Sequence, residues 1–311
     1  MNILVLGGDG FLGSHLIDKI DLSEHRVTVF DRFKYDKSVN LEHVRDKIIF
    51  KAGEFANKPA LSDALKDQDI VYHFISCTSP PISWNDPLIE IDQNLGSSIP
   101  LFDLSSNLGV KKIVFASSGG TVYGLQNKTT IDEATTPHPY VPYGITKLTI
   151  EYFLNYFHKK TGLSYDIFRI ANPYGPRQPM NTPQGVIAIW MDSILKGKEI
   201  AVFGNSTSIR DYIYVEDVAT LLTQSLNELE TPNIYNVGSN EGISILELLE
   251  YFKKIIVTPF KYIIQEKREF DNLAIVLDST KIYSKFPNFI PTNLETGLIK
   301  TWKFLNKIST I

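Results

Sequence analysis

The sequence has little of several features that would point to particular classes of protein. Cys77 is the one cysteine in 311 residues, which excludes an intrachain disulfide, and no metal-ligand spacing is recognisable, so no metal is expected. The apolar runs are shorter than the roughly 18 to 20 residues of a membrane-spanning helix, so no membrane partner is expected. There is no block of basic residues, and 31 Lys and Arg against 35 Asp and Glu argue against a nucleic-acid partner.

The composition that remains, 43% hydrophobic and 21% charged, is typical of a globular protein. A length of 311 residues suits one large α/β unit or two lobes. The first residues, MNILVLGG, form a strand-like segment with no basic leader before it. We therefore expect no signal peptide and a cytoplasmic location.

Short β-branched runs alternate with helical stretches in the first part of the chain. The predicted strands cover residues 2–7, 27–31, 48–52, 70–76 and 112–118. This alternation predicts an α/β fold in which a doubly wound parallel sheet has helices on both faces. After residue 171 a proline-rich loop, 172–185, is followed by further short strands and helices, which indicates a second, smaller α/β lobe.

Two longer helices are predicted at 85–108 and 143–160. The second has apolar residues on more than one face, among them Leu148, Tyr152 and Phe153. A helix of this kind is buried on two sides. We expect one side to pack on its own sheet and the other on a partner subunit.

The loop after the first strand has glycines at the spacing of a dinucleotide-binding turn. Gly7, Gly10 and Gly13 would form the turn, let the backbone approach a pyrophosphate and allow close packing of helix on strand. Asp31 follows 18 residues after Gly13, where a carboxylate can bind ribose hydroxyls and repel a 2′-phosphate. NAD is therefore favoured over NADP, although the neighbouring Arg32 leaves NADP open. The alternative is a tight turn without a ligand.

Tyr143 and Lys147 lie four residues apart at the start of a predicted helix, and hence on one face. Tyrosine has a pKa near 10, so it needs a nearby positive charge to act as a base at neutral pH. Lys147 and an oxidised nicotinamide would supply that charge. The segment SSGGTVYG (117–124) adds hydroxyls after the fifth strand, at the carboxyl edge where ligands bind in such sheets. The alternative is a chance pair on the protein surface.

Several blocks in a fixed order carry a family resemblance. They are GGDGFLGSHL (7–16), SSGGTVYG (117–124), YGITK (143–147), RIANPYGPRQ (169–178), FGNSTSIRDYIYVEDVA (203–219), YNVGS (235–239), and Arg268 with Asp271. In these blocks the sequence resembles the extended short-chain dehydrogenase/reductases, and among them the NAD-dependent sugar-nucleotide epimerases and dehydratases. The match runs over nearly the whole chain.

The resemblance implies a Rossmann domain at 1–171, with a return segment at about 209–236, and a sugar-nucleotide lobe at 172–208 and 237–311. It also implies bound NAD and a homodimer joined by helices 85–108 and 143–160. The implied reaction inverts C4 of a nucleotide-diphosphate sugar, UDP-glucose or UDP-galactose or their N-acetyl forms, through a transient 4-keto sugar. The alternatives are a nucleotide-sugar oxidoreductase or dehydratase, and a non-catalytic nucleotide-binding protein.

The resemblance also assigns roles to residues. Tyr143 is similar to the general base of the family, and Lys147 to the residue that holds the nicotinamide ribose and lowers the tyrosine pKa. Further cofactor contacts are implied at Gly7, Gly10, Phe11, Leu12, Gly13, Asp31, Arg32, Glu54, Phe55, Asn94 and Ser117. Substrate contacts are implied at Asn172, Val186, Phe203, Arg210, Arg268 and Ile275, and two arginines can share the charge of a pyrophosphate.

The sequence departs from the family pattern at Gly119, where most members have Ser or Thr. The hydroxyl that shares the substrate proton must then come from Thr121 or Ser118, and we slightly favour Thr121. Dehydratases have an Asp-Glu pair at the positions of Gly120 and Thr121, so its absence argues against dehydration. Ile275 is at the position that gates N-acetylated sugars, and its intermediate size does not decide between them.

Three further residues are expected to have no catalytic role. We expect His73 to be a packed histidine near the cofactor and His15 to contact solvent. Cys77 is expected to pack rather than to react, because no His or Asn partner pattern supports a nucleophile.

Overall fold

The computed structural model describes residues 1–33, 38–128, 130–180, 182–204, 208–266 and 274–309. Its strands are β1 Asn2–Leu6, β2 Arg26–Asp31, β3 Ile49–Ala52, β4 Ile70–His73, β5 Lys112–Ser118, β6 Thr130–Ile131, β7 Ser164–Ile170, β8 Asn172–Tyr174, β9 Ile200–Phe203, β10 Ile209–Arg210, β11 Tyr212–Tyr214, β12 Asn233–Val237, β13 Ile243–Ser244, β14 Tyr262–Gln265 and β15 Ala274–Leu277.

The α-helices are α1 Phe11–Ile17, α2 Lys58–Leu65, α3 Pro80–Asn85, α4 Gly96–Asn107, α5 Gly119–Val122, α6 Pro142–Thr161, α7 Val186–Leu195, α8 Val215–Leu222, α9 Ile245–Ile255, α10 Thr280–Tyr283 and α11 Leu294–Ser309. A π-helical turn covers Glu90–Leu95, and 3-10 turns cover Glu42–Lys47 and Thr223–Leu226.

Seven strands form one sheet in the order β12-β7-β5-β4-β1-β2-β3, and every pair in it is parallel. The chain moves outward from β1 to β3 on one side and resumes at β4 on the other. The strand order therefore reverses between β1 and β4, and ligands bind at the carboxyl edge of such a switch point. The predicted doubly wound Rossmann sheet is confirmed.

The alternation of apolar side chains along β1 explains why helices cover both faces of this sheet. Ile3 and Val5 point into one apolar cluster, whereas Leu4 and Leu6 point into another on the opposite face. Successive side chains of a strand alternate between faces, so a strand that is apolar at every position needs a cover on each side. α1 belongs to the first layer and α6 to the second.

A third apolar cluster lies in the C-terminal part, where α7, α9 and α11 pack together with β9. Trp190 of α7 is fully buried and its ring meets Phe252 of α9 edge to face at 5.2 Å. Ser244 caps α9 through a reciprocal pair of hydrogen bonds with Glu247. The described residues also form smaller sheets with the strand orders β13-β10-β15-β6, β14-β9 and β11-β8.

The helix predicted at 85–108 is confirmed for residues 88–107, but it begins later than predicted and contains the π-helical turn. α3 ends at Asn85, and the chain resumes as the π-helical turn and then α4. Pro87 explains the break, because the residue before a proline is biased away from the helical region, and Asp86 has φ −137°. The helix predicted at 143–160 is α6, which begins at Pro142, ends at Thr161 and is capped by Gly162 with φ +82°. No helix within the described parts of the chain is long and apolar enough to cross a membrane.

Candidate active site

The glycine turn between β1 and α1 leaves no room for side chains. Gly7 has φ +77°, and a Cβ on Gly13 would lie 2.4 Å from the carbonyl oxygen of Gly7. The start of α1 therefore lies directly on the end of β1. Gly10 is the N-cap of α1 and offers no side-chain cap, so the first N–H groups of the helix remain for a ligand. This cradle of bare backbone fits a dinucleotide pyrophosphate.

Asp31 ends β2 beside this turn, with its carboxylate held by backbone donors. One oxygen accepts from the N–H of Asp9 at 3.1 Å and the other from the N–H of Arg32 at 2.8 Å. Burial raises the pKa of Asp31, and these two hydrogen bonds oppose the increase. The Asp9 side chain accepts from the hydroxyl of Ser38 and the N–H of Asn40, which the sequence analysis missed. The carboxylate of Asp31 is thus fixed beside the glycine turn.

Tyr143 and Lys147 lie one turn apart at the start of α6. The Lys147 ammonium is 5.5 Å from the centre of the Tyr143 ring, 4.7 Å from that of Phe115, and donates to the carbonyl of Ala116 at 2.9 Å. Ala116 lies in the C-terminal half of β5, so the pair stands toward the carboxyl edge of the sheet. The strand β4 separates β5 from β1 and its glycine turn. The N–H of Tyr143 donates to the hydroxyl of Ser83 at 3.1 Å and fixes the beginning of the helix.

Burial shifts both groups toward their neutral forms. Desolvation lowers the pKa of Lys147 to about 8, while the carboxylates of Glu90 and Glu151 oppose that shift. Desolvation and the charge of Glu90 raise the pKa of Tyr143 to about 12, against a hydrogen bond with Ser76. At neutral pH the phenol therefore keeps its proton unless a further positive charge enters the site.

The two candidates for the missing hydroxyl have different surroundings. Thr121 packs on α6, where a Cβ on Gly144 would lie 3.0 Å from the Thr121 Cβ. Its hydroxyl is buried and has no hydrogen-bond partner among the described residues. Ser118 ends β5 and is partly exposed. Gly119 itself has no space, because a Cβ there would lie 2.4 Å from a methyl carbon of Leu277.

Ser117 is committed to a buried ion pair. Its hydroxyl donates to Glu151 at 2.5 Å, and Glu151 pairs with Arg169 at 2.7 Å. Arg169 also donates to the hydroxyl of Tyr123 at 3.0 Å. The sequence analysis missed Glu151, although its place four residues after Lys147 puts it on the same face of α6. A cofactor contact by Ser117 remains a prediction.

Of the other predicted cofactor residues, Asn94 and Phe55 contact the end of β4 or the residues that follow it. Asn94 is buried, and its amide oxygen accepts from the N–H of Cys77 at 2.9 Å. The ring of Phe55 belongs to the core and lies 5.0 Å from that of His73, so its backbone rather than its side chain is left for an adenine. Glu54 is exposed. In α1, Phe11 and Leu12 are partly buried in the first turn.

The predictions for His15 and Cys77 are wrong, whereas His73 is packed as predicted. His73 is a packed histidine, as expected: burial lowers its pKa to about 3, and its ring meets the hydroxyl of Ser98 at 3.0 Å. His15 does not contact solvent, because the loop after β8 crosses α1 and the carbonyl of Pro176 lies 2.9 Å from the imidazole. Cys77 is exposed rather than packed, since β4 ends at His73.

On the predicted substrate side, Asn172 and Arg210 are joined through Asp211. The amide of Asn172 donates to the carbonyl of Asp211 at 2.9 Å. Arg210 lies on β10 between Ile243 of β13 and Ile275 of β15. Ile275 is only 4% exposed.

Three more substrate residues were predicted elsewhere in the C-terminal half of the chain. Val186 opens α7, and Phe203 ends β9, which packs on that helix. Arg268 falls outside the described residues. The site residues that the sequence analysis missed altogether are Ser76, Ser83 and Glu90. Glu90 could have been found from the sequence, because it lies four residues before Asn94 and residues four apart share one face of a helix.

The parallel sheet, the glycine cradle and the Tyr143–Lys147 pair define an extended short-chain dehydrogenase/reductase. The model of the NAD dependent epimerase/dehydratase family matches residues 3–238, and the chain belongs to this family. Its cofactor is NAD.

Relatives of known activity cover most of the chain. A UDP-glucose 4-epimerase from Lactobacillus helveticus is 30% identical over 90% of this chain and 89% of its own. The crystal structure of a UDP-glucose 4-epimerase with UDP-glucose from Thermotoga maritima superimposes with a TM-score of 0.90 at 32% identity, covering 99% of each chain. A dTDP-4-dehydro-6-deoxyglucose reductase from Escherichia coli is 31% identical over 80% of this chain and 79% of its own.

Proposed function

We propose that this enzyme inverts C4 of a UDP-linked hexose, interconverting UDP-glucose and UDP-galactose or their N-acetyl forms through a transient 4-keto sugar. The observation that carries the proposal is the buried Tyr143–Lys147 pair toward the carboxyl edge of the sheet. The Lactobacillus and Thermotoga relatives support the same reaction.

In the proposed mechanism Tyr143 moves the proton of the 4-hydroxyl. Bound NAD supplies the acceptor, and later the donor, of the C4 hydride. Tyr143 takes the hydroxyl proton as C4 is oxidised and returns it to the same oxygen when C4 is reduced on its other face, so protons and electrons balance. Lys147 has a pKa of about 8 and is therefore mostly an ammonium at neutral pH, which favours the phenolate.

Backbone N–H groups at the start of α1 and the carboxylate of Asp31 would hold the cofactor. The first N–H groups of α1 would bind the pyrophosphate, with Phe11 and Leu12 supplying two of them. Asp31 would bind the ribose hydroxyls and reject a 2′-phosphate. Asn94 would lie near the nicotinamide end.

On the substrate side, Arg210 and Arg268 would bind the diphosphate, with Asn172 beside them. A firm grip on the diphosphate leaves the hexose free to turn over as a 4-keto sugar, which C4 inversion requires. Val186, Phe203 and Ile275 would bound the nucleotide-sugar pocket. Thr121 or Ser118 would share the proton of the 4-hydroxyl.

A second candidate function is net oxidation or reduction of a nucleotide sugar, which the reductase relative favours. It uses the same Tyr143 and Lys147, but it changes the redox state of the cofactor at each turnover. Dehydration is disfavoured, because Gly120 and Thr121 replace the Asp-Glu pair that would remove water.

The test is an assay of purified protein with UDP-glucose, UDP-galactose and their N-acetyl forms, without added NAD. We expect interconversion, and a loss of about 100-fold or more in Tyr143→Phe, since general-base catalysis has that magnitude. Tyr262→Phe, at an exposed tyrosine of β14 outside the site and outside α6, is the matched control. A loss of less than about tenfold in Tyr143→Phe would refute the assigned base. A stoichiometric change at the nicotinamide absorbance band would select the redox function.

We further propose that two copies form a homodimer through α6 and the segment before α4. Ile145, Tyr152 and Tyr156 form an exposed stripe on α6, and Tyr152 is 63% exposed. The opposite face of α6 is buried in the core. Leu88 and Ile91 extend the exposed apolar surface, with Leu88 66% exposed. Contiguous apolar surface of this kind typically marks an interface.

A further inference from the structure

Glu90 is a buried charged side chain that the mechanism above does not use. It is 2% exposed and begins the π-helical turn Glu90–Leu95. Carboxylates are almost never fully buried without partners. Single π-helical turns are frequent at functional sites. Both features point to a role beyond packing.

The carboxylate of Glu90 closes a hydrogen-bond network with the segment after β4. One oxygen accepts from the amide of Asn94 at 2.9 Å and the other from the hydroxyl of Thr78. Asn94 also donates to the Thr78 hydroxyl oxygen at 2.9 Å and accepts from the N–H of Cys77 at 2.9 Å. The network therefore fixes the position of residues 76–79.

This segment also contacts Tyr143. The hydroxyl of Ser76 is hydrogen-bonded to the Tyr143 side chain and donates to the carbonyl of Thr78 at 3.3 Å. Ser83, a few residues farther on, accepts from the N–H of Tyr143 at 3.1 Å. Tyr143 is thus held from the β4 side, whereas Gly119 offers it no hydroxyl from the β5 side.

Glu90 is also the carboxylate whose charge acts on both members of the catalytic pair. Its charge raises the pKa of Tyr143 and of Lys147, adding to desolvation at the tyrosine and opposing it at the lysine. The other titratable groups that act electrostatically with the lysine are Glu151, Cys77 and His73. Glu151 is already paired with Arg169.

We propose that Glu90 is a positioning residue of this reaction, whose carboxylate clamps residues 76–79 against Tyr143 and keeps a negative charge beside the Tyr143–Lys147 pair. The charge keeps Lys147 an ammonium in a dry site. It also keeps Tyr143 protonated until a positively charged nicotinamide is bound. The kinetic part of the proposal rests on the proposed epimerase function.

The first test compares the pH dependence of kcat/KM for the parent enzyme and Glu90→Gln. Removing the negative charge lowers the pKa of both Tyr143 and Lys147, so both limbs of the profile should move about one unit toward lower pH. Asp103→Asn removes an exposed carboxylate from α4 and should leave the profile in place. A shift below about 0.3 unit, a shift toward higher pH, or an equal shift in Asp103→Asn would overturn the proposal.

A further variant, Thr78→Val, tests the hydrogen-bond clamp separately from the charge. It keeps the Glu90 carboxylate and removes the hydroxyl that donates to it. We expect kcat to fall severalfold, while both limbs of the pH profile of kcat/KM stay where they are in the parent enzyme. If the limbs of the Thr78→Val profile move as far as those of Glu90→Gln, the shift cannot be assigned to the charge of Glu90. Glu90→Met is of similar length and replaces Glu90→Gln if that variant does not fold.

A second readout needs no turnover. The ultraviolet absorbance of phenolate is titrated in the purified protein, and the curve of Tyr143→Phe is subtracted to isolate Tyr143 from the other tyrosines. In the Glu90→Gln background the isolated transition should move about one unit lower. An unmoved transition would overturn the proposal for Glu90 even if epimerisation is observed. A moved transition in a protein without epimerase activity would refute the proposed function alone.

Discussion

Gly119 gives the sharpest prediction of packing. Reintroducing a side chain at this position should damage the enzyme rather than restore the family pattern. A Cβ on Gly119 would lie 2.4 Å from one methyl carbon of Leu277, 3.1 Å from the other, and 3.0 Å from the carbonyl of Arg169. Leu277 is fully buried, so it has no open space to move into. The neighbouring Gly120 provides the comparison, because a Cβ there would meet nothing within 4 Å.

The magnitude follows from two opposing terms. Both glycines lie in α5, where replacement by alanine gains up to about 1 kcal/mol of intrinsic helix stability. Overpacking a filled core costs about 1 to 3 kcal/mol, and this term applies at Gly119 alone. The free energy of unfolding of Gly119→Ala should therefore lie about 1 to 3 kcal/mol below that of Gly120→Ala. In a protein of this size each kcal/mol changes Tm by roughly 2 to 4 °C.

The assay is thermal unfolding of Gly119→Ala, Gly120→Ala and the parent protein, followed by circular dichroism. Leu277→Val should recover part of the loss when it is combined with Gly119→Ala, because it removes the clashing methyl carbon. Gly119→Ser should lose stability in the same way and should not raise kcat. The reasoning is refuted if Gly119→Ala melts at or above the temperature of Gly120→Ala.

Two further predictions concern stability and assembly. Burial raises the pKa of Asp211 to about 6, although the backbone N–H groups of Ser239 and Leu277 donate to its carboxylate. The pKa of Asp211 is therefore higher in the folded than in the unfolded protein. Its contribution to stability is present at low pH and is lost as the pH rises from about 4 to 6. Asp211→Asn should remove that slope in urea unfolding measured across this range, and an unchanged slope would contradict the assignment. Tyr152→Glu places a charge on the exposed stripe of α6 and should convert a dimer to a monomer in light scattering, with Asp103→Asn as the control; a dimer that persists would place the interface elsewhere.

The elements that could be predicted from sequence are those set by local patterns. The strands ending at Leu6 and Asp31 follow from runs of β-branched and apolar residues, which make a strand buried on both faces. The glycines of the first turn follow from their spacing, because no other residue type permits such close contact of helix and strand. Tyr143 and Lys147 meet because residues four apart share one face of any helix.

What escaped prediction depends on contacts between residues distant in sequence. His15 is buried because the loop carrying Pro176 crosses α1, and no periodicity in α1 reports that loop. The break at Pro87 had a local signal, but the π-helical turn after it places Glu90 and Asn94 against Thr78, which only the folded chain reveals.

The sequence by itself determined the class of fold, the dinucleotide cradle and the spacing of the catalytic pair, because each depends on steric rules that act over a few residues. The tertiary structure decided how the pair is surrounded. Leu277, from the far end of the chain, fills the space beside Gly119, and Glu90 supplies the buried charge and the clamp. Both effects arise from the close packing of the interior, where the identity of a distant neighbour settles which side chain fits and which charge is felt.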